Sequence, residues 1–157
     1  MTTEFFALKH LRKSLGAVLV FFTFMFFAAD TAFAQASAYI VRNDRGGIVG
    51  DRAEEIRRLK STGRRVEIQG DICLSSCTMY LGAGDVCVNP NTRFGFHGPS
   101  YYGKPLPPEY FDYWSDVIAE HYPKPVRDWF MQTGRHRING YYTIRGTELI
   151  RLGMPAC

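Results

Sequence analysis

The apolar run from Leu15 to Ala29 constrains this chain before anything else does. It follows Lys9, His10, Arg12 and Lys13, it stops at Asp30, and Ala32-Phe33-Ala34 comes just before Gln35. At about 15 residues the run is short of the ~20 that cross a bilayer as a helix. A basic start, an apolar centre and a small-x-small site together read as a secretory signal, residues 1–34, cleaved after Ala34. Contact with a membrane is expected only through this segment, as an anchor if it is retained. Residues 35–157 must then fold by themselves, as one domain with a modest core.

Export governs the reading of the cysteines. All four (Cys73, Cys77, Cys87 and Cys157) fall within residues 35–157. An even count in an exported domain points to disulfides, and four cysteines allow three full pairings between which sequence does not choose. Cys73-x-x-x-Cys77 lacks the two-residue knuckle spacing, and no second Cys/His pair has ligand spacing, so no metal is expected. Nor is the spacing the C-x-x-C of a thioredoxin-like redox site. No other cofactor is implied. Without residues 1–34 the chain keeps 16 Lys/Arg against 13 Asp/Glu. That mild, mixed charge argues against a nucleic-acid partner. The cluster Arg57, Arg58, Lys60, Arg64 and Arg65 reads as a solvated helix face and its exit.

Periodicity supplies the elements. Tyr39–Arg42 reads as a strand ending at the turn cluster Asn43–Gly47. A helix follows over about 51–61, with Ala53, Ile56 and Leu59 as a thin stripe at helical spacing, ended by Thr62-Gly63. Val66 and Ile68 alternate with polar neighbours as a strand does, so strand, helix and strand imply a parallel crossover. A short buried helix is expected over 78–83, strands at 86–88 and 93–97, and a Gly/Pro/Tyr-rich loop over 98–108. Helices are expected over 109–121 and 126–132, a strand at 141–144, and a short helix at 147–152 stopped by Gly153. Strands alternating with helices make the class α/β. The aromatics Tyr101, Tyr102, Tyr110, Tyr113 and Trp114 suit an interface, although half of them fit the core side of the 109–121 helix.

Three features have a use in acyl transfer. Gly46-Gly47 follows a strand, Ser75 stands where a strand meets a helix, and His97 closes a strand ahead of Gly98-Pro99. A serine hydroxyl is a weak nucleophile until a neighbouring base takes its proton, and an imidazole does this near neutral pH. The developing oxyanion needs backbone N–H groups, and glycine lets a backbone come close. Singly, each feature is a common structural one.

In combination they resemble a known family. Gly46-Gly47, then Cys73-x-Ser75-x-Cys77 ahead of Ala83-Gly84, then Arg93-Phe94-Gly95-Phe96-His97 is similar to the proteolytic subunit of Clp protease. The similarity is closer to exported bacterial proteins of that kind in which cysteines flank the serine. The stretch Tyr142–Met154 resembles the family's closing helix, and the likeness covers most of residues 38–154. It implies a crotonase-like fold of repeated β-β-α units and a periplasmic serine hydrolase acting on peptides or proteins. By the same resemblance Ser75 is the nucleophile, with Ser76 a rival, and His97 is the general base. The N–H groups of Gly47 and Ser76 form the oxyanion hole. A disulfide at Cys73 or Cys77 would stiffen this turn. No ATPase partner of the Clp type is expected outside the cytoplasm.

The chain also departs from that pattern. The family's acid falls where this sequence reads Arg137-Ile138-Asn139-Gly140-Tyr141, so Asn139 is the nearest group to orient His97; Asp112 or Asp116 would serve only if the intervening loop folds back. Arg45 replaces the usual proline before the glycines. The family's opening strands are missing, which exposes a sheet edge that a second copy in a homo-oligomer, or another chain, would cover. A second function is therefore expected beside the first: an inactive module of the same fold that binds a peptide or a partner subunit.

Overall fold

A computed structural model describes residues 37–157; the signal segment and its cleavage site lie outside the described residues. The described chain is mixed α/β. Its strands are β1 (Tyr39–Val41), β2 (Val66–Ile68), β3 (Ile72–Leu74), β4 (Val86–Val88), β5 (Arg93–Phe96), β6 (Ser100–Tyr101), β7 (Lys104–Pro105) and β8 (Tyr142–Arg145). Its α-helices are α1 (Val49–Ser61), α2 (Pro108–Ala119), α3 (Lys124–Gln132) and α4 (Gly146–Arg151), and a 3₁₀ helix spans Ser75–Gly82.

The first half alternates between two sheets. Strands β1, β2 and β4 form one parallel sheet, in that order. Strands β3, β5 and β8 form the other, with β3 parallel and β8 antiparallel to β5. Successive strands β2 and β3, and again β4 and β5, therefore split between the sheets. Asp44 extends the second sheet by an isolated parallel bridge to Cys73. The chain end runs beside β4, where Val88 N–H donates to Pro155 O and Cys157 N–H to Val88 O.

The α1 stripe packs as its spacing requires. Ala53, Ile56 and Leu59 are buried with Val41, Val66 and Ile68. The opposite face carries the basic cluster into solvent, where Arg57 and Arg58 share Glu54 and Arg65 reaches Asp85. Phe94 and Phe96 are fully buried on β5. Phe96 meets Tyr122 and Trp129 edge-on, each at 5.5 Å between ring centres. Truncating such a ring costs about 3–5 kcal/mol, so the strand that delivers His97 is anchored one residue before it.

Three expectations change. The buried helix begins at Ser75 rather than Thr78 and is 3₁₀ in form, directly after the strand Ile72–Leu74. The 98–108 loop contains the β6–β7 hairpin, turned by Tyr102 and Gly103 at positive φ. Tyr110 and Tyr113 face solvent rather than the core, with Ser115, Ile118 and Ala119 buried in their place. Two disulfides, Cys73–Cys77 and Cys87–Cys157, use all four cysteines. They leave no thiolate for a metal and suit an oxidising, extracellular type of environment. No helix of the described residues is long and apolar enough to cross a membrane.

Candidate active site

Strand β3 ends at Leu74 in extended backbone, and Ser75 turns sharply at φ +56° into the 3₁₀ helix. A side chain in the left-handed region costs roughly 1–2 kcal/mol, and such outliers gather at functional sites. The Cys73–Cys77 bridge, with 5.2 Å between Cα atoms, spans this turn. Thr78 Oγ1 donates to Ser75 O at 2.7 Å and pairs with the buried Tyr122 hydroxyl at 2.6 Å. The main chain of Ser75 is thus held from both sides.

Its hydroxyl lies 2.7 Å from His97 Nε2. With Ser75 donating there, the imidazole proton sits on Nδ1 and donates to Gly98 O, also at 2.7 Å. Gly98 is fixed in turn by its own N–H to Arg137 O. A Cβ on Gly98 would stand 1.7 Å from Arg135 O, so only glycine lets the two main chains pass. Burial pushes the His97 pKa below its ordinary value, partly offset by the bond to Gly98 O. The imidazole is therefore neutral, and able to accept a proton, near pH 7. Tyr141 packs edge-on to the ring at 5.3 Å.

The structure brings Ser75 and His97 together, and it separates Ser76 from the imidazole. Ser76 is buried and its hydroxyl donates to Gly47 O at 3.2 Å. That bond puts Gly47 and Ser76 side by side at the inner wall that also holds Ser75 and His97. Among the described residues no acceptor takes the Gly47 N–H, and the Ser76 N–H, in the first turn of a helix, has no partner within it. Gly47 and Ser76, each with an unpaired main-chain N–H, thus line the same pocket as the Ser75 hydroxyl.

The expectation for Asn139 does not hold. Asn139 is exposed in a bend, and the Nδ1 it was to orient is already bonded to Gly98 O. Neither aspartate replaces it: Asp112 is taken by Arg135 at 2.9 Å, and no bond joins Asp116 to the ring. A main-chain carbonyl thus does the orienting, a role that leaves no residue-type signature.

In front of Ser75 opens a cleft of about 630 Å³, walled by Ile48, Val49, Pro99, Tyr101, Leu106 and Trp114 among others. No Asp, Glu, Lys or Arg lines it. A second, apolar groove of about 300 Å³ between α3 and α4 contains no nucleophile and lies away from this constellation. No family model matches the chain, and neither a curated protein nor a solved structure matches it.

Proposed function

We propose that this protein is a serine hydrolase with a Ser75–His97 dyad, exported to the periplasm and acting on peptides or esters with neutral, apolar acyl groups. The observation that carries the reading is the 2.7 Å contact between Ser75 Oγ and a neutral imidazole, on a serine held at positive φ. The hydroxyl attacks the acyl carbonyl as His97 Nε2 takes its proton. The Gly47 and Ser76 N–H groups receive the oxyanion, which is usually the largest single contribution to such catalysis. His97 returns the proton to the leaving amine or alcohol. Water, deprotonated by the same imidazole, then releases the acid. The neutral cleft favours apolar groups because burying an unpaired charge there is expensive.

The splitting of successive strands between two sheets supports a short crotonase-like fold for the chain. The lack of a carboxylate behind His97 favours a second reading, a non-catalytic module whose cleft binds a peptide or partner subunit. Hydrolysis of p-nitrophenyl esters and blocked neutral peptides, with the acyl-enzyme caught by intact mass, decides between them. Turnover lost in Ser75→Ala and in His97→Ala supports the hydrolase; turnover retained in Ser75→Ala, or none in folded wild type, overturns it.

A further inference from the structure

Gly46-Gly47 reaches the serine as a strap between β1 and α1, and something must hold it at that depth. Asp44 main chain bonds to both ends of β3, its N–H to Ile72 O and its O from Leu74 N–H. Its carboxylate works in the other direction. Oδ1 accepts the Gly46 N–H at 2.7 Å, and Oδ2 accepts Arg52 Nη2 at 2.7 Å. Arg52 sits on α1 with its side chain only 12 % exposed. Its Nη1 donates to Glu55 Oε2 at 2.8 Å and to the Tyr80 hydroxyl, and its guanidinium carbon lies 4.3 Å over the Tyr80 ring. Glu55 is held by the hydroxyls of Tyr80 and Tyr39.

We infer that the Asp44–Arg52 pair is the positioning device for the oxyanion donor: it locks the Gly46 peptide so that the next N–H, that of Gly47, faces the Ser75 hydroxyl. The inference rests on the hydrolase reading. A solvent-exposed ion pair would do little. This one is mostly buried, has a guanidinium locked on three sides, and spends one carboxylate oxygen on the strap itself. A planar guanidinium reaches Asp44 and Glu55 at once, whereas an ammonium holds one of them well. Arg52 and Asp44 do not line the cleft, so their effect must pass through Gly46 and Gly47.

The test compares Arg52→Met, Arg52→Lys, Asp44→Ala and Asp44→Asn in the 35–157 protein, using p-nitrophenyl acetate and the amide resonances of Gly46 and Gly47. Losing one well-aimed oxyanion donor costs about 10²–10³ in rate, and a misaimed one is expected to cost about 10–100-fold. Arg52→Met and Asp44→Ala should lower kcat by that factor with KM nearly unchanged, and should speed hydrogen exchange at Gly46. Arg52→Lys should restore part of the loss, and Asp44→Asn, which keeps an acceptor for Gly46, should lose less than Asp44→Ala. Wild-type kcat in folded Arg52→Met, or an unchanged Gly46 amide in both Arg52→Met and Asp44→Ala, overturns the inference. If a variant does not fold, the Lys and Asn variants decide by the same criteria. Absence of turnover in folded wild type overturns the hydrolase reading instead, and the Gly46 amide still reports whether the pair holds the strap.

Discussion

Adding one methyl group to Gly46 should do what adding one to its neighbour Gly47 does not. Gly46 stands at φ +93°, and a Cβ there would meet Ser75 Cβ at 2.5 Å and Leu74 O at 2.9 Å. Carbon atoms normally approach to about 3.5–4.0 Å, so the gap must open by roughly 1 Å or more. The left-handed backbone adds about 1–2 kcal/mol, and overpacking about 1–3 kcal/mol. Gly46→Ala should therefore lose roughly 2–5 kcal/mol of stability. The strap is pinned to β3 through Asp44, so part of the strain must be relieved at Ser75. Misplacement of a reacting group by 1 Å costs about 100-fold. At Gly47 no heavy atom lies within 4 Å of the added carbon and φ is outside the left-handed region. Gly47→Ala should change stability by no more than ~0.5 kcal/mol and keep most of the activity, since the N–H remains. Urea melts with labelling rates by a fluorophosphonate give both numbers. Equal behaviour of the two alanine variants would refute the reasoning, because only one of them touches the serine.

Other consequences follow from the same geometry. The base must be neutral, and burial lowers the His97 pKa below 6.5; kcat/KM should rise with pH to a midpoint below 6.5, and a midpoint above it in a pH–rate profile would contradict the site. The two disulfides should separate stability from activity. Cys87–Cys157 closes a separation of 70 residues and Cys73–Cys77 one of 4, so by chain entropy their removal costs about 4 and about 2 kcal/mol, yet the smaller loss should abolish more labelling because that bridge brackets Ser75. A Cβ on Gly50 would lie 3.7 Å from Trp114 Cη2, and both residues line the cleft. Gly50→Leu should leave acetyl ester hydrolysis in place and cut octanoyl ester hydrolysis, at about fourfold for each methylene excluded; equal loss on both esters would move the acyl group elsewhere.

The parts legible in the sequence were those with a period or a forced pairing. Ala53, Ile56 and Leu59 announce α1 because only a helix gathers them, and the alternation at Val66 and Ile68 announces β2. Three residues carry no period, so the bounds of the strand ahead of Ser75, Ile72–Leu74, were not legible beside the Gly70-Asp71 turn. The β6–β7 hairpin hid because its turn uses Tyr102 at positive φ, a conformation rarely taken by a bulky aromatic residue. Tyr110 and Tyr113 have helical spacing, but neighbours one position away, Phe111 and Trp114, take the inward-facing side. At the site, Ser75 and His97 were legible as residue types. The group behind the imidazole was not, because it is the carbonyl of Gly98, and main-chain carbonyls exist at every position. Asp44 and Arg52 sit eight residues apart across a turn, and no spacing rule connects them.

The most direct measurement is reaction of the purified 35–157 protein with a fluorophosphonate, followed by intact mass and peptide mapping. One adduct per chain on the peptide carrying Ser75, absent in Ser75→Ala and in His97→Ala, is the result expected of a 2.7 Å serine–imidazole contact that activates the hydroxyl. No adduct on folded wild type, or an adduct that survives His97→Ala at the wild-type rate, would contradict it.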